Sequence, residues 1–218
     1  MKKVLFIVLA MSLILVSCDR LDVIKNHSLK SFTDISVSMP ESVFFDPENS
    51  CWVVSAPDKS ARFMLQQQER SIALVLEFAA EDFLGAGLSV DNLPREVTYH
   101  PQRHTLSIYE NISAVDDLPT EAGILAVIES VINADRRRFG YHSFGDHYGI
   151  EIGAGNFFMW ARDRESNQNT VAFMLSAGMF SESAVKLENI KGWRVATIDA
   201  HEGKKTVQAK RLVKSYKI

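Results

Sequence analysis

Residues 116–140 read DDLPTEAGILAVIESVINADRRRFG, and their pattern sets the expected fold class. Ile124, Leu125, Ile128, Val131 and Ile132 recur at three- and four-residue spacing, one apolar stripe on a helix. Asp116 and Asp117 suit its start, where side-chain oxygens meet free amides, and Pro119 suits the first turn. Arg136, Arg137 and Arg138 set positive charge at the negative end of the helix dipole, and Gly140 is a natural stop. The pattern predicts one amphipathic helix over about 118–139.

Strand chemistry surrounds it. Downstream, apolar runs at 148–152, 157–161, 171–176, 193–199 and 206–213 are separated by Gly-, Asn- and Ser-rich breaks at 153–156, 164–169 and 201–204. Upstream, Phe32, Ile35, Val37 and Met39 read as an alternating run, Val43 to Phe45 and Cys51 to Ser55 as short strands, and 96–99 and 105–110 as a hairpin. Over 58–84 the pattern is divided. Ala61, Met64, Leu65, Ile72 and Val75 fit a helical stripe, while Ile72, Leu74, Leu76 and Phe78 alternate; 58–68 stays open, and 72–78 is predicted as a strand. No repeat of fixed period is read. Consecutive strands joined by short loops favour antiparallel meanders, so the expected class is α+β, an antiparallel sheet with the 118–139 helix packed on one face.

The first eighteen residues carry an address. Lys2 and Lys3 precede an apolar run from Val4 to Val16, and Leu15-Val16-Ser17-Cys18 ends it at a cysteine. The run is about 13 residues, short of the roughly 20 that span a bilayer. This leader resembles the signal peptide and lipobox of bacterial lipoproteins. The resemblance covers Met1 to Cys18 only and implies lipid attachment at Cys18, which makes the membrane a partner, and Asp19 implies retention at the inner membrane of the envelope, with the outer membrane the other destination. The expected organisation is a signal peptide at 1–17, a lipidated tether at 18–31 and a single α+β domain at 32–218. A tether of that length reaches roughly 20 to 40 Å.

Lys2 and Lys3 leave with the leader, taking the formal charge from −3 to −5, and nucleic acid is not an expected partner. Cys51 is the other of the two cysteines, so no disulfide framework is expected, and its place before Trp52-Val53-Val54 reads as a buried small hydrophobe.

Catalytic templates fit poorly. Gly153 and Gly155 lack the third glycine and following helix of a dinucleotide loop and read as a hairpin turn. Ser183-Ala184-Val185-Lys186 matches a serine-x-x-lysine pattern, but no lysine-threonine-glycine segment follows it. His142, Asp146 and His147 cluster in one loop and are the candidate metal or acid/base set, with His100, His104, Asp116 or Asp117 as a further ligand, although a packed structural loop has the same composition. No cofactor is expected. Phe158 and Trp160, with Arg162 and Arg164 beyond them, are residue types that dominate protein interfaces and are the candidate contact surface. The expected function is therefore a non-enzymatic envelope lipoprotein that binds another protein, as an immunity protein against a delivered toxin or an accessory or assembly factor. A carrier of a lipid or other small apolar ligand and a metal-dependent enzyme are the alternatives.

Overall fold

Among the described residues, twelve strands pair into two six-stranded antiparallel sheets. The computed structural model describes residues 22–113, 122–142, 147–162, 168–202 and 205–217, with backbone only at 140–142, 147, 162, 200–202, 205 and 206. The first sheet contains β1 (Val43–Asp46), β2 (Cys51–Ser55), β3 (Ala61–Gln68), β4 (Ser71–Ala79), β5 (Val97–His100) and β6 (Thr105–Ser113), in the order β1-β2-β3-β4-β6-β5. The second contains β7 (Phe139–His142), β8 (His147–Glu151), β9 (Phe157–Arg162), β10 (Asn169–Ser176), β11 (Arg194–Glu202) and β12 (Lys205–Lys217), in the order β11-β12-β10-β9-β8-β7.

Two sheets correct the expected single sheet under one helix. Each sheet finds its apolar cover in the other: Phe63, Leu65, Leu74 and Leu76 from the first and Phe158, Trp160, Phe173 and Leu175 from the second belong to one buried core. The expected helix shortens to α3 (Ile124–Ala134), which adds Ile124, Val127, Ile128, Val131 and Ile132 to that core. Its N-cap is Gly123, and Asp116, Asp117 and Pro119 lie outside the described residues. It ends before the arginines because Asp135 turns to an extended conformation and pairs with Arg137 and Arg138, while Phe139 enters the core as the first residue of β7. The open segment at 58–68 is strand β3, and a short helix α2 (Ala80–Leu84) follows β4 directly.

Residues 22–38 form a helix, α1, so the expected tether at 18–31 is helical from residue 22 onward. Phe32 and Ile35 are fully buried, Met39 just past the helix is buried too, and Val37 is 76% exposed, a helical rather than a strand pattern. Ser28 and Ser31 lie on the same buried side; the Trp160 indole nitrogen donates to the Ser28 carbonyl at 3.1 Å, and the Phe32 ring meets Trp160 edge-on at 5.4 Å. Lys25 pairs with Glu129 at 3.1 Å, joining α1 to α3.

The order of elements occurs twice. A helix leads into four meandering strands, a short helical turn follows, and a hairpin closes the sheet with its second strand inside its first. β1 and β7 begin at Val43 and Phe139 and β2 and β8 at Cys51 and His147, the same spacing, and the registers that set Val54 opposite Phe63 and Ile150 opposite Phe158 carry the correspondence into β3 and β9. Counterparts also meet. Phe63 opposes Leu76 as Phe158 opposes Phe173, and the two phenyl rings stack at 4.6 Å. Phe83 of α2 stacks at 5.4 Å on Phe180 of the 3-10 turn in the corresponding place. Across the halves, Tyr216 of β12 bonds Asp58 in the β2–β3 turn, and its counterpart Glu110 of β6 lies against Gly153 in the β8–β9 turn. Reciprocal contacts of this kind are the mark of a twofold pairing, here within one chain. The repeat expected to be absent is thus present in element order, carried by burial pattern rather than residue identity.

Candidate functional site

The β3–β4 hairpin turns on Glu69 and Arg70, with Gln68 opposite Ser71, and that register sets Arg62 directly across from Glu77. Both face away from the core, since Ala61, Phe63 and Leu65, and Leu76 and Phe78, take the inward positions. Glu77 nevertheless has only 2% of its side chain exposed. Arg62 donates through Nε at 2.7 Å to one of its carboxylate oxygens, and Arg103, from the β5–β6 turn, donates through Nη2 at 3.0 Å to the other. A buried carboxylate held by two guanidinium groups keeps its charge compensated and fixes both arginines.

Beside this triad the His100 Nε2 lies 2.8 Å from the Ser107 hydroxyl, and Ser107 is the register partner of Glu77 on β6. These side chains edge a surface cleft of about 460 Å³ whose apolar part is Cys51, Met64, Val75 and Tyr109. Arg62, Glu77 and Arg103 also line a second cleft of about 620 Å³, with Phe44, Lys59 and His104. Cys51 is a buried free thiol, as its sequence context implied; burial, then the Asp46 carboxylate, pushes it up, so it is held as a neutral thiol. The arrangement offers guanidinium donors above an apolar floor.

The sequence candidates fall elsewhere. His142 and His147 are register partners across the β7–β8 hairpin, but their side chains, and Asp146, lie outside the described residues. His100 bonds Ser107, and among the described residues no three His, Cys, Asp or Glu side chains gather as a metal site would require. Phe158 and Trp160 are fully buried, which corrects their reading as contact residues: both are inward members of β9, packed against Phe63 and Phe32. The Arg162 side chain and Arg164 lie outside the described residues, as does Cys18. The Ser183 hydroxyl donates to the Phe180 carbonyl at 2.8 Å. Gly153 and Gly155 take positive φ in the β8–β9 turn, as a hairpin reading requires.

Arg62, Glu77 and Arg103 escaped the sequence reading. The signal was the two-residue turn at Glu69-Arg70: once 61–79 is read as a hairpin, counting outward from it puts Arg62 across from Glu77.

Comparison of the chain with protein-family models, with curated proteins and with solved structures finds no match.

Proposed function

We propose that the protein is an envelope lipoprotein, anchored through Cys18, whose domain binds another protein. The leader from Lys2 to Cys18 carries this reading, because its basic start, short apolar run and terminal cysteine are the parts that lipid attachment needs. The open outer face of the first sheet, where charged and apolar groups sit side by side, supports a partner-binding role. Because α1 already includes residue 22, the expected reach shortens: four residues from Cys18 extend at most about 14 Å, which on this reading keeps the domain beside the bilayer rather than 20 to 40 Å above it. An immunity protein or an accessory factor of an envelope machine would work in this position.

Affinity purification from detergent-solubilised membranes, in cells that carry the neighbouring genes, tests the reading. A stoichiometric protein partner is expected; recovery of the protein alone would count against it.

A further inference from the structure

The internal duplication permits a comparison that a single sheet would not. On the outer face of the first sheet, Arg62, Glu77 and Ser107 form one row across β3, β4 and β6. The corresponding row across β9, β10 and β12 is Phe157, Met174 and Val213, aligned by the equivalence of Phe63 with Phe158 and Leu76 with Phe173. Met174 and Val213 belong to a small apolar cluster of their own. The same backbone positions thus accept an apolar row, and such a row costs no charge desolvation, whereas the Arg–Glu–Arg triad must offset it. The scaffold does not require these charges. Their presence in one half asks for a role beyond folding.

The free valence of the triad says what that role is. Each guanidinium carries five N–H groups in a rigid fork, and Glu77 engages only part of each. Among the described residues no other protein acceptor bonds them. Two arginines against one carboxylate leave the 460 Å³ cleft lining with one net positive charge, which matches a monoanion; a phosphate dianion would meet repulsion from Glu77 without a second compensating charge. Asp46 stands near Arg62, but its carboxylate is engaged by Asn49. Next to the charge, Tyr109 is 54% exposed and shares its outward row with Met64 and Val75, so an apolar group has somewhere to lie.

We infer that this cleft binds an acidic segment of the protein partner, with a partner carboxylate on Arg62 and Arg103 and the neighbouring apolar side chain on Met64, Val75 and Tyr109. The inference rests on the protein-binding reading above. A chain segment, rather than a free small acid, fits because the same arginines line two clefts, giving a bound chain room on both sides of its carboxylate.

The test is a nuclear magnetic resonance titration of the full chain in detergent micelles with the capped pentapeptide Gly-Phe-Glu-Leu-Gly and its Glu-to-Gln counterpart. The acidic peptide should give saturable shifts at Arg62, Met64, Ser107 and Tyr109, and the amide peptide should bind about ten-fold more weakly, as loss of a charged hydrogen-bond partner implies. Arg103→Gln keeps the Arg62–Glu77 pair and should bring the acidic peptide down to the amide level. Equal affinities for the two peptides, or shifts gathered elsewhere, would overturn the site. Tighter binding by 3-phenylpropionate than by the acidic peptide would assign the cleft to a small acid and overturn the partner segment. If Arg103→Gln recovers a partner from membranes at the wild-type yield, this site falls and the protein-binding reading stands; if the wild type recovers none, that reading falls first.

Discussion

Phe63 and Phe158 stack at 4.6 Å with their planes 11° apart, each the counterpart of the other in its own half, and neither is exposed. This contact joins the two sheets at the centre of the shared core. Either phenylalanine changed to Ala should cost about 3–5 kcal/mol by urea unfolding. The double variant should fall short of additivity by about 0.5–1.5 kcal/mol, the coupling of a direct aromatic pair. Full additivity would mean that the rings do not meet.

Phe32 tests whether α1 belongs to the domain. It is fully buried against Trp160, so Phe32→Ala should cost about 3–5 kcal/mol, and Val37→Ala, on the exposed side, less than about 0.5. A loss below about 1 kcal/mol for Phe32→Ala would return this segment to a tether.

That helix was the main element the sequence hid, and the reason is physical. Its inward positions include Ser28 and Ser31, small polar residues that close packing tolerates but a hydrophobic pattern does not register. What remained, Phe32, Ile35, Val37 and Met39, imitates alternation because exposed Val37 fills the gap. By contrast, β5 and β6 and five of the six strands after α3, β8 to β12, are readable within a few residues, because two-sided strands bounded by Gly, Asn and Ser leave little choice, whereas β7 reads as part of the loop that follows the helix. The division into two sheets was not readable: every strand pairs with near neighbours in sequence, and nothing local marks where one sheet stops. For the site, the context of Cys51 marks it as a buried thiol, but Arg62 lies in the segment whose pattern is open between helix and strand, Glu77 in the strand predicted at 72–78, and a cross-strand pair has no signature until its register is known.

Lys214 on β12 sets its ammonium 3.2 Å from the Asp82 carboxylate of α2, both largely withdrawn from solvent, with the Trp193 ring 5.8 Å away. Asp82→Asn leaves a buried cation and should cost about 3 kcal/mol. Replacing both, Asp82→Leu with Lys214→Met, should cost less than the single change, since an apolar pair of similar volume removes both desolvation penalties. Denaturant titration of the two variants decides it; a double variant as unstable as Asp82→Asn would contradict the account.

Acid should weaken the β2–β3 turn. Burial pushes the Asp58 carboxyl up, but hydrogen bonds from the Ser60 hydroxyl and amide and from Tyr216, with Lys214 close by, outweigh it and hold the group below its ordinary value of 3.8. The folded value is thus below the unfolded one. The contribution is complete above the unfolded value of about 3.9 and fades as pH falls through the lower folded value. The stability gap between wild type and Asp58→Asn should be constant from pH 7 to 5 and narrow below about pH 4. A gap independent of pH would show that the carboxylate charge plays no part.

On the proposed reading, lipid attachment at Cys18 decides where the domain works, and metabolic labelling with palmitate measures it directly. The account predicts label on the wild-type protein, an N-terminal peptide beginning at a lipid-modified Cys18, and, for Cys18→Ser, an unlabelled folded protein released from membranes by salt and carbonate washes. Label that survives Cys18→Ser, or a variant that stays in the membrane fraction after those washes, would contradict it.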